Sequence, residues 1–210
     1  MIKVKVCGIT NIEDALAAVE AGADLLGFVF AESPRQVDRA AVARITASLP
    51  EQIRTVGVFV NAPADEIDAA FKECGLHIAQ LHGQETPQMA ASWTADRVWK
   101  ALRIRAESGL DQARAYRARV GAILLDAYSP VLAGGTGCSF DWSLAAGSRA
   151  LGVPIVLAGG LRPGNVAAAI SQVRPDILDV SSGVETRPGR KDPALMRAFV
   201  TEVRLAEKLV

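Results

Sequence analysis

The chain contains 210 residues, of which 50% are hydrophobic and 22% carry a charged side chain. This length and composition are typical of one globular domain with a substantial core, and they exclude a largely disordered chain. Lys and Arg together number 23, as do Asp and Glu, so the formal net charge is zero. A neutral balance argues against broad attraction to nucleic acid or to an anionic membrane, and an anionic ligand would need a local site.

The N-terminal segment and the cysteines bear on cellular location and on metals. Residues 1–8, MIKVKVCG, lack the long apolar stretch and the small-residue cleavage site of a signal peptide. No apolar run is as long as a bilayer span, so we expect a cytoplasmic protein with no nucleic-acid or membrane partner. Cys7, Cys74 and Cys138 are odd in number and widely spaced, and they predict no metal site.

Eight strand-like segments alternate with eight helix-like segments from end to end. The strand-like segments are short and rich in Val, Ile and Leu, as in parallel sheets that are covered on both faces. The predicted strands are 2–7, 25–30, 55–60, 78–82, 98–102, 122–126, 155–158 and 177–180. The predicted helices are 11–21, 39–49, 63–74, 87–93, 107–117, 142–151, 163–173 and 193–209.

Strand followed by helix, repeated eight times, predicts a parallel sheet with crossover helices. The units are fairly even in length, and no Gly-x-Gly-x-x-Gly motif follows the first strand. Both features favour an α/β fold, a single-domain (β/α)₈ TIM barrel over residues 1–210, rather than an open doubly wound sheet. In such a barrel the active site lies at the C-terminal ends of the strands.

Two predicted strands end on residues that can exchange protons, Cys7 on the first and Asp126 on the sixth. A thiolate can remove a proton and a protonated carboxyl can supply one, so the pair can act on a sugar by acid–base chemistry. Taken singly, Cys7 is better explained as a core residue and Asp126 as a turn or capping residue. Their shared position at strand ends favours catalysis.

The loops after the last two strands contain Gly159-Gly160 and Ser182-Gly183. Backbone N–H groups in such turns bind phosphate, and barrels often place a phosphate there. One loop alone is explained by a tight turn, but two adjacent loops predict a phosphate site. A third glycine run, 134–137, is a candidate mobile loop.

Arg35 follows the second strand, and its planar guanidinium can receive a carboxylate through two parallel hydrogen bonds. The alternative is an ordinary solvated loop arginine. His82, at the end of the fourth strand, either contacts substrate or makes structural hydrogen bonds.

Strand alternation predicts an ion pair inside the barrel. If Cys7 faces the barrel axis, Lys3 and Lys5 face it too, and on the eighth strand Ile177 and Asp179 do the same. A buried charge must be paired, and the first and eighth strands become neighbours when the barrel closes. We therefore expect Lys5 to pair with Asp179; the alternative is a catalytic Lys5.

A set of short motifs spans essentially the whole chain. They are KVCGIT at 5–10, GFVF at 27–30 with SPR at 33–35, GVFVN at 57–61, QLHG at 80–83, LLD at 124–126, GGTG at 134–137, LAGGL at 157–161 and DVSSGVE at 179–185. In these motifs and in their order, the sequence resembles the phosphoribosylanthranilate isomerase family of tryptophan biosynthesis. The segment RPGRKD at 187–192 approximates the family's Pro-Gly-x-Lys-Asp run, with Arg190 in the variable place.

The resemblance implies a cofactor-free Amadori rearrangement of N-(5-phosphoribosyl)anthranilate, a small phosphosugar. The assembly state stays open between a monomer and a homodimer. Asp126 would be the general acid at the ring oxygen, in a desolvated site that keeps its carboxyl protonated. Cys7 would be the general base at C2′, as a thiolate favoured by positive charge such as Lys5. Arg35 would hold the anthranilate carboxylate. The phosphate would be held by Gly159, Gly160, Ser182 and Gly183.

Two other activities stay open at this point. One is another barrel enzyme of a related phosphosugar, such as an epimerase or an indole-glycerol-phosphate synthase, which would need a metal site or a catalytic lysine pair. The other is a phosphate-binding barrel without catalysis, expected if Cys7 or Asp126 points away from the cavity.

Overall fold

The computed structural model describes residues 1–104, 109–126, 142–145 and 147–209. The glycine run at 134–137 and Cys138 lie outside these ranges. Across them, no helix is long and apolar enough to cross a membrane.

Eight parallel strands form a closed barrel in the order of the sequence, with the first strand pairing against the eighth. Every predicted strand is confirmed, and no strand end differs from its predicted position by more than one residue. The strands are β1 Lys3–Cys7, β2 Leu25–Val29, β3 Arg54–Phe59, β4 Ile78–Leu81, β5 Val98–Arg103, β6 Ala122–Asp126, β7 Ile155–Ala158 and β8 Ile177–Val180.

Helices connect the strands on the outside of the barrel. In the described part of the chain the α-helices are α1 Ile12–Glu20, α2 Arg39–Thr46, α3 Ala64–Cys74, α4 Pro87–Ala90, α5 Gly109–Arg114, α6 Val166–Val173 and α7 Pro193–Ala206. Several begin at a side-chain cap; the Asn11 side chain, for example, accepts a hydrogen bond from the Asp14 amide.

Two local features differ from the sequence prediction. The prediction of one α-helix over 142–151 is wrong, because the structure has two short 3₁₀ helices there, Trp142–Ala145 and Ser148–Leu151. Gly147 lies between them, and glycine is a poor helix former. A hairpin of β9 Glu185–Arg187 and β10 Arg190–Lys191 was not predicted; its turn contains Gly189 with a positive φ of 78°.

Alternation along the strands separates two cores. Residues of one parity fill the barrel interior, and residues of the other parity pack against the helices. The interior apolar side chains are Leu25, Val56, Ile78, Trp99, Ala101, Ala122, Leu124, Val156, Ala158 and Ile177. Leu178 and Val180 belong to the outer core, so the predicted facing of β8 is confirmed.

The predicted ion pair inside the barrel is confirmed. Lys5 lies opposite Asp179 in the β1–β8 register, and its Nζ is 2.8 Å from Asp179 Oδ2. The lysine is fully buried. Burial alone would lower the pKa of Lys5, but the Asp179 carboxylate and the Cys7 thiol outweigh it and raise that pKa. Lys3, two residues earlier, is exposed, and it lines a separate cavity with Met1 at the start of the strand.

Candidate active site

A cavity of about 430 Å³ lies where the strands end. The inward parity places strand residues from around the barrel in its wall: Cys7, Val58, Gln80, Arg103, Asp126, Ala158 and Asp179. The loops that follow the strands add Arg35, His82, Gly159, Gly160, Ser181 and Ser182. Of the residues predicted to form the site, only Gly183 does not line this cavity, although it follows Ser182 directly.

Cys7 ends β1 with its side chain toward the cavity and is almost completely buried. Burial raises the pKa of the Cys7 thiol, while the positive charges of Lys5 and Lys191 act against that rise. Lys5 therefore acts to lower the pKa of Cys7, as expected, but the effect of burial on that pKa is larger. In the free protein the thiol form is favoured, and the thiolate is a correspondingly strong base once it forms.

Asp126 ends β6, beside Arg103 in the β5–β6 register. Its side chain is 19% exposed, so the carboxyl is open to the cavity and is not the fully desolvated group that the sequence suggested. His82 Nε2 lies 3.4 Å from Asp126 Oδ2. The other ring nitrogen, Nδ1, is 3.0 Å from Gln80 Nε2, and Gln80 Oε1 accepts a hydrogen bond of 2.9 Å from Lys5 Nζ. Sequence reasoning assigned no role to Gln80.

Arg35 lies over Gly8, where an added Cβ would come within 2.5 Å of Arg35 Cδ. Its guanidinium is paired inside the protein. Arg35 Nε donates to Glu185 Oε1 at 2.8 Å, and Nη2 donates to Glu185 Oε2 at 2.6 Å. One edge of the guanidinium is thus occupied. Nη1 makes no hydrogen bond within the described ranges, so the end of the fork remains available to a ligand in the cavity.

Glu185 is almost completely buried, and it also accepts a hydrogen bond of 2.8 Å from the buried Lys191 Nζ. Burial acts to raise the pKa of Glu185, but the hydrogen bonds from Arg35 and Lys191 outweigh it and lower that pKa. The carboxylate therefore stays charged and joins the loop after β2 to the hairpin after β8. Sequence reasoning missed this connection, because Arg35 and Glu185 are 150 positions apart.

The two candidate phosphate loops lie against each other. Gly159 and Gly160 have φ values of 93° and 64°, in the left-handed region that favours glycine. A Cβ on Gly183 would collide with the carbonyl oxygen of Leu161, so only glycine permits this close approach of the two backbones. Asn165 Nδ2 donates a hydrogen bond of 2.9 Å to the Gly160 carbonyl and fixes the first loop.

A third buried ion pair in the described part of the chain fixes the loop that carries His82. Lys100, on the outward face of β5, donates to Glu85 Oε2 at 2.8 Å and to the Gly83 carbonyl at 2.7 Å. Glu85 in turn accepts hydrogen bonds from the backbone amides of Gly83 and Asn61. Sequence reasoning did not identify this pair, although a lysine in the middle of an apolar strand is a signal that a buried partner exists.

Comparison with known proteins gives consistent matches over almost the whole chain. The sequence model of the family described as N-(5′phosphoribosyl)anthranilate (PRA) isomerase matches residues 4–202. A relative from Pelobacter propionicus, named N-(5′-phosphoribosyl)anthranilate isomerase, is 55% identical over 201 residues, which cover 95% of this chain and 94% of that protein.

Two solved structures have a similar fold. One is a phosphoribosyl anthranilate isomerase in complex with reduced 1-(o-carboxyphenylamino)-1-deoxyribulose 5-phosphate; its TM-score is 0.85 and its identity 40%, covering 97% of this chain and 99% of that chain. The other, from Thermotoga maritima, shows mutually generated monomers of a dimeric phosphoribosylanthranilate isomerase. Its TM-score is 0.86 and its identity 40%, with the same coverage of 97% and 99%.

Proposed function

Because the chain belongs to the N-(5′-phosphoribosyl)anthranilate isomerase family, we propose that Cys7 and Asp126 are the base and the acid of its reaction. That reaction is the Amadori rearrangement of N-(5-phosphoribosyl)anthranilate to 1-(2-carboxyphenylamino)-1-deoxyribulose 5-phosphate, a step of tryptophan biosynthesis. The observation that carries the proposal is that Cys7 and Asp126 line one cavity together with the glycine loops after β7 and β8.

Asp126 acts first, as the general acid. Its carboxyl gives a proton to the furanose ring oxygen while the bond between that oxygen and C1′ breaks. The anilino nitrogen supplies the electron pair, so the ring opens to a protonated Schiff base and Asp126 is left as a carboxylate. Partial exposure to the cavity lets this carboxyl reach the substrate.

Cys7 acts second, as the general base. Its thiolate removes the proton from C2′, and the electrons of the broken C–H bond form a C1′=C2′ double bond while the iminium nitrogen becomes neutral. The resulting enolamine then tautomerises to the ketone, as its C2′ hydroxyl loses a proton and C1′ gains one. Positive charge on Lys5 and Lys191 stabilises the thiolate, and the high pKa that burial imposes makes it a strong base.

Binding is assigned to residues that line the same cavity and to Gly183, which directly follows the lining residue Ser182. Arg35 receives the anthranilate carboxylate on its free Nη1 end, while Glu185 holds the other edge of the guanidinium. Gly159, Gly160, Ser182 and Gly183 receive the phosphate on their backbone amides. The left-handed φ values of Gly159 and Gly160 and the close approach at Gly183 support this second assignment.

A fluorescence assay that follows phosphoribosylanthranilate tests the two catalytic assignments. We expect Cys7→Ser and Asp126→Asn each to lower kcat by at least about 10²–10⁴-fold, because neither replacement can transfer the required proton. Their circular dichroism spectra should match that of the unaltered protein. Cys74→Ser is the matched control, because Cys74 is buried in α3 and does not line the cavity. Normal turnover by either site variant would remove that residue from the mechanism.

We further propose that residues 1–210 act as one domain in the cytoplasm, as a monomer or a homodimer. The single closed barrel supports one domain, and the dimeric Thermotoga maritima relative supports the homodimer. Sedimentation at several protein concentrations distinguishes the two assembly states, because only a dimer dissociates on dilution.

A further inference from the structure

We propose that His82 is a positioning residue for Asp126, held by Gln80 as the neutral Nε2–H tautomer. Gln80 is itself oriented by the buried Lys5. The inference rests on the proposed role of Asp126 as the general acid, and it adds to that role a chain of three side chains that ends at one carboxylate oxygen.

The orientation of the Gln80 amide follows from Lys5. The Lys5 ammonium is fully buried, lies 2.8 Å from Asp179 Oδ2, and has its pKa raised by that carboxylate against the effect of burial. An ammonium donates hydrogen bonds and cannot accept one. The Gln80 atom that lies 2.9 Å from Lys5 Nζ must therefore be the oxygen, Oε1.

The protonation of His82 follows from Gln80. With Oε1 toward Lys5, the Gln80 NH₂ group faces His82 Nδ1 at 3.0 Å. An amide NH₂ group only donates, so Nδ1 must accept and can carry no proton. A doubly protonated ring would bring two donors together. The ring is therefore neutral, and its single proton lies on Nε2.

The Nε2–H group faces the acid. Nε2 is 3.4 Å from Asp126 Oδ2, a contact that is not a hydrogen bond in this structure of the free protein; catalytic hydrogen bonds are often long before substrate binds and form fully in the complex. Donation to Oδ2 leaves Oδ1 to carry the proton that is transferred. After Asp126 has given up its proton, the neutral imidazole can donate a hydrogen bond to the new carboxylate. An imidazolium in the same place would favour the ionised form of Asp126 before the transfer and so would oppose its role as an acid.

Other groups among the described residues that line the same cavity contribute to the electrostatic field around His82 and Asp126. The charged or titratable ones are Cys7, Glu32, Arg35, Arg103 and Asp179. None of these changes the donor and acceptor requirement at Gln80, because that requirement comes from direct hydrogen bonds.

Nitrogen-15 NMR of the histidine rings tests the tautomer directly, independently of turnover. At pH 7 we expect a protonated Nε2 and an unprotonated Nδ1 for His82. The chain has two histidines, and a His82→Gln sample assigns the signals. In Gln80→Glu a carboxylate oxygen faces Nδ1, so both ring nitrogens should become protonated. An imidazolium in the unaltered protein at pH 7 would overturn the inference.

Kinetics tests the consequence for Asp126. We expect His82→Phe to lower kcat by about 10- to 100-fold with little change in KM, because a hydrogen bond to the carboxylate is lost. His82→Gln keeps a neutral donor and should recover most of that loss. Gln80→Glu should move the alkaline limb of the pH–kcat profile, where the general acid Asp126 loses its proton, to lower pH, which a purely structural role would not do. His77→Gln is the matched control, because His77 contacts Thr55 and does not line the cavity.

The outcomes separate this inference from the proposed function. Unaltered kcat in His82→Phe, with Asp126→Asn inactive, overturns the positioning role and leaves the acid assignment intact. Normal turnover by Asp126→Asn overturns both.

Discussion

The ion pair inside the barrel predicts a large loss of stability when one partner is removed. Asp179→Ala leaves the Lys5 ammonium fully buried and without its carboxylate partner, while the Gln80 oxygen still accepts a hydrogen bond from it. Removing one partner of a buried pair costs about 3–5 kcal/mol. For a chain of this size each kcal/mol lowers Tm by about 2–4 °C, so we expect a fall of about 6–20 °C by differential scanning calorimetry.

An exposed pair on the same protein is the control. Asp111 lies 2.9 Å from Arg114 on α5, with both side chains largely exposed, so Asp111→Ala should cost at most about 1 kcal/mol. The double change Lys5→Met with Asp179→Leu removes both charges and should recover at least half of the lost Tm. Equal Tm values for Asp179→Ala and Asp111→Ala would refute the argument that the interior charge depends on its partner.

Three further outcomes follow from the site. Arg35→Lys keeps the positive charge but loses the planar guanidinium, so KM for the substrate should rise about 10- to 100-fold. Affinity for inorganic phosphate, measured by calorimetry, should stay the same. An equal loss of affinity for a substrate analogue without the carboxylate would contradict this. Gly183→Ala should weaken substrate and inorganic phosphate together, because its Cβ collides with the Leu161 carbonyl and separates the two loops; unchanged affinity for both would remove the phosphate assignment. Alkylation of Cys7 by iodoacetamide, followed by peptide mass spectrometry, should have its midpoint at a higher pH than alkylation of an exposed cysteine in a peptide, because only the thiolate reacts and burial raises the pKa of the Cys7 thiol. A midpoint below that of the peptide would show that the lysine charges outweigh burial.

The barrel could be predicted from sequence because its strands obey one simple rule. Strand residues alternate between two faces, so the position of Cys7 fixes the facing of Lys5, and closure of the barrel brings Lys5 beside Asp179. The same parity, carried from strand to strand by the register, places Asp126 in the cavity wall. The period-two alternation therefore predicted the interior pair, while the positions at strand ends identified the two candidate catalytic residues.

The hairpin contacts and the 3₁₀ turns escaped prediction because their segments have no such periodicity. The hairpin Glu185–Arg187 and Arg190–Lys191 follows β8, and nothing in its sequence indicates that Glu185 pairs with Arg35 from the other end of the chain. The 3₁₀ turns near Gly147 interrupt a pattern that resembles an α-helix. Only Lys100 carried a usable signal, since a charge inside an apolar strand requires a buried partner.

Lys5 was open to a structural or a catalytic explanation, and its contacts show why the two cannot be separated. Its ammonium pairs with Asp179 and so stabilises the barrel closure between β1 and β8. The same charge acts to lower the pKa of Cys7, the proposed base. Through its hydrogen bond to Gln80 it also orients the group that faces His82 beside Asp126, the proposed acid. A lysine below the strand end can therefore influence both proton transfers without touching the substrate. Its buried charge acts on the proposed base Cys7 directly, and it acts on the proposed acid Asp126 through Gln80 and His82.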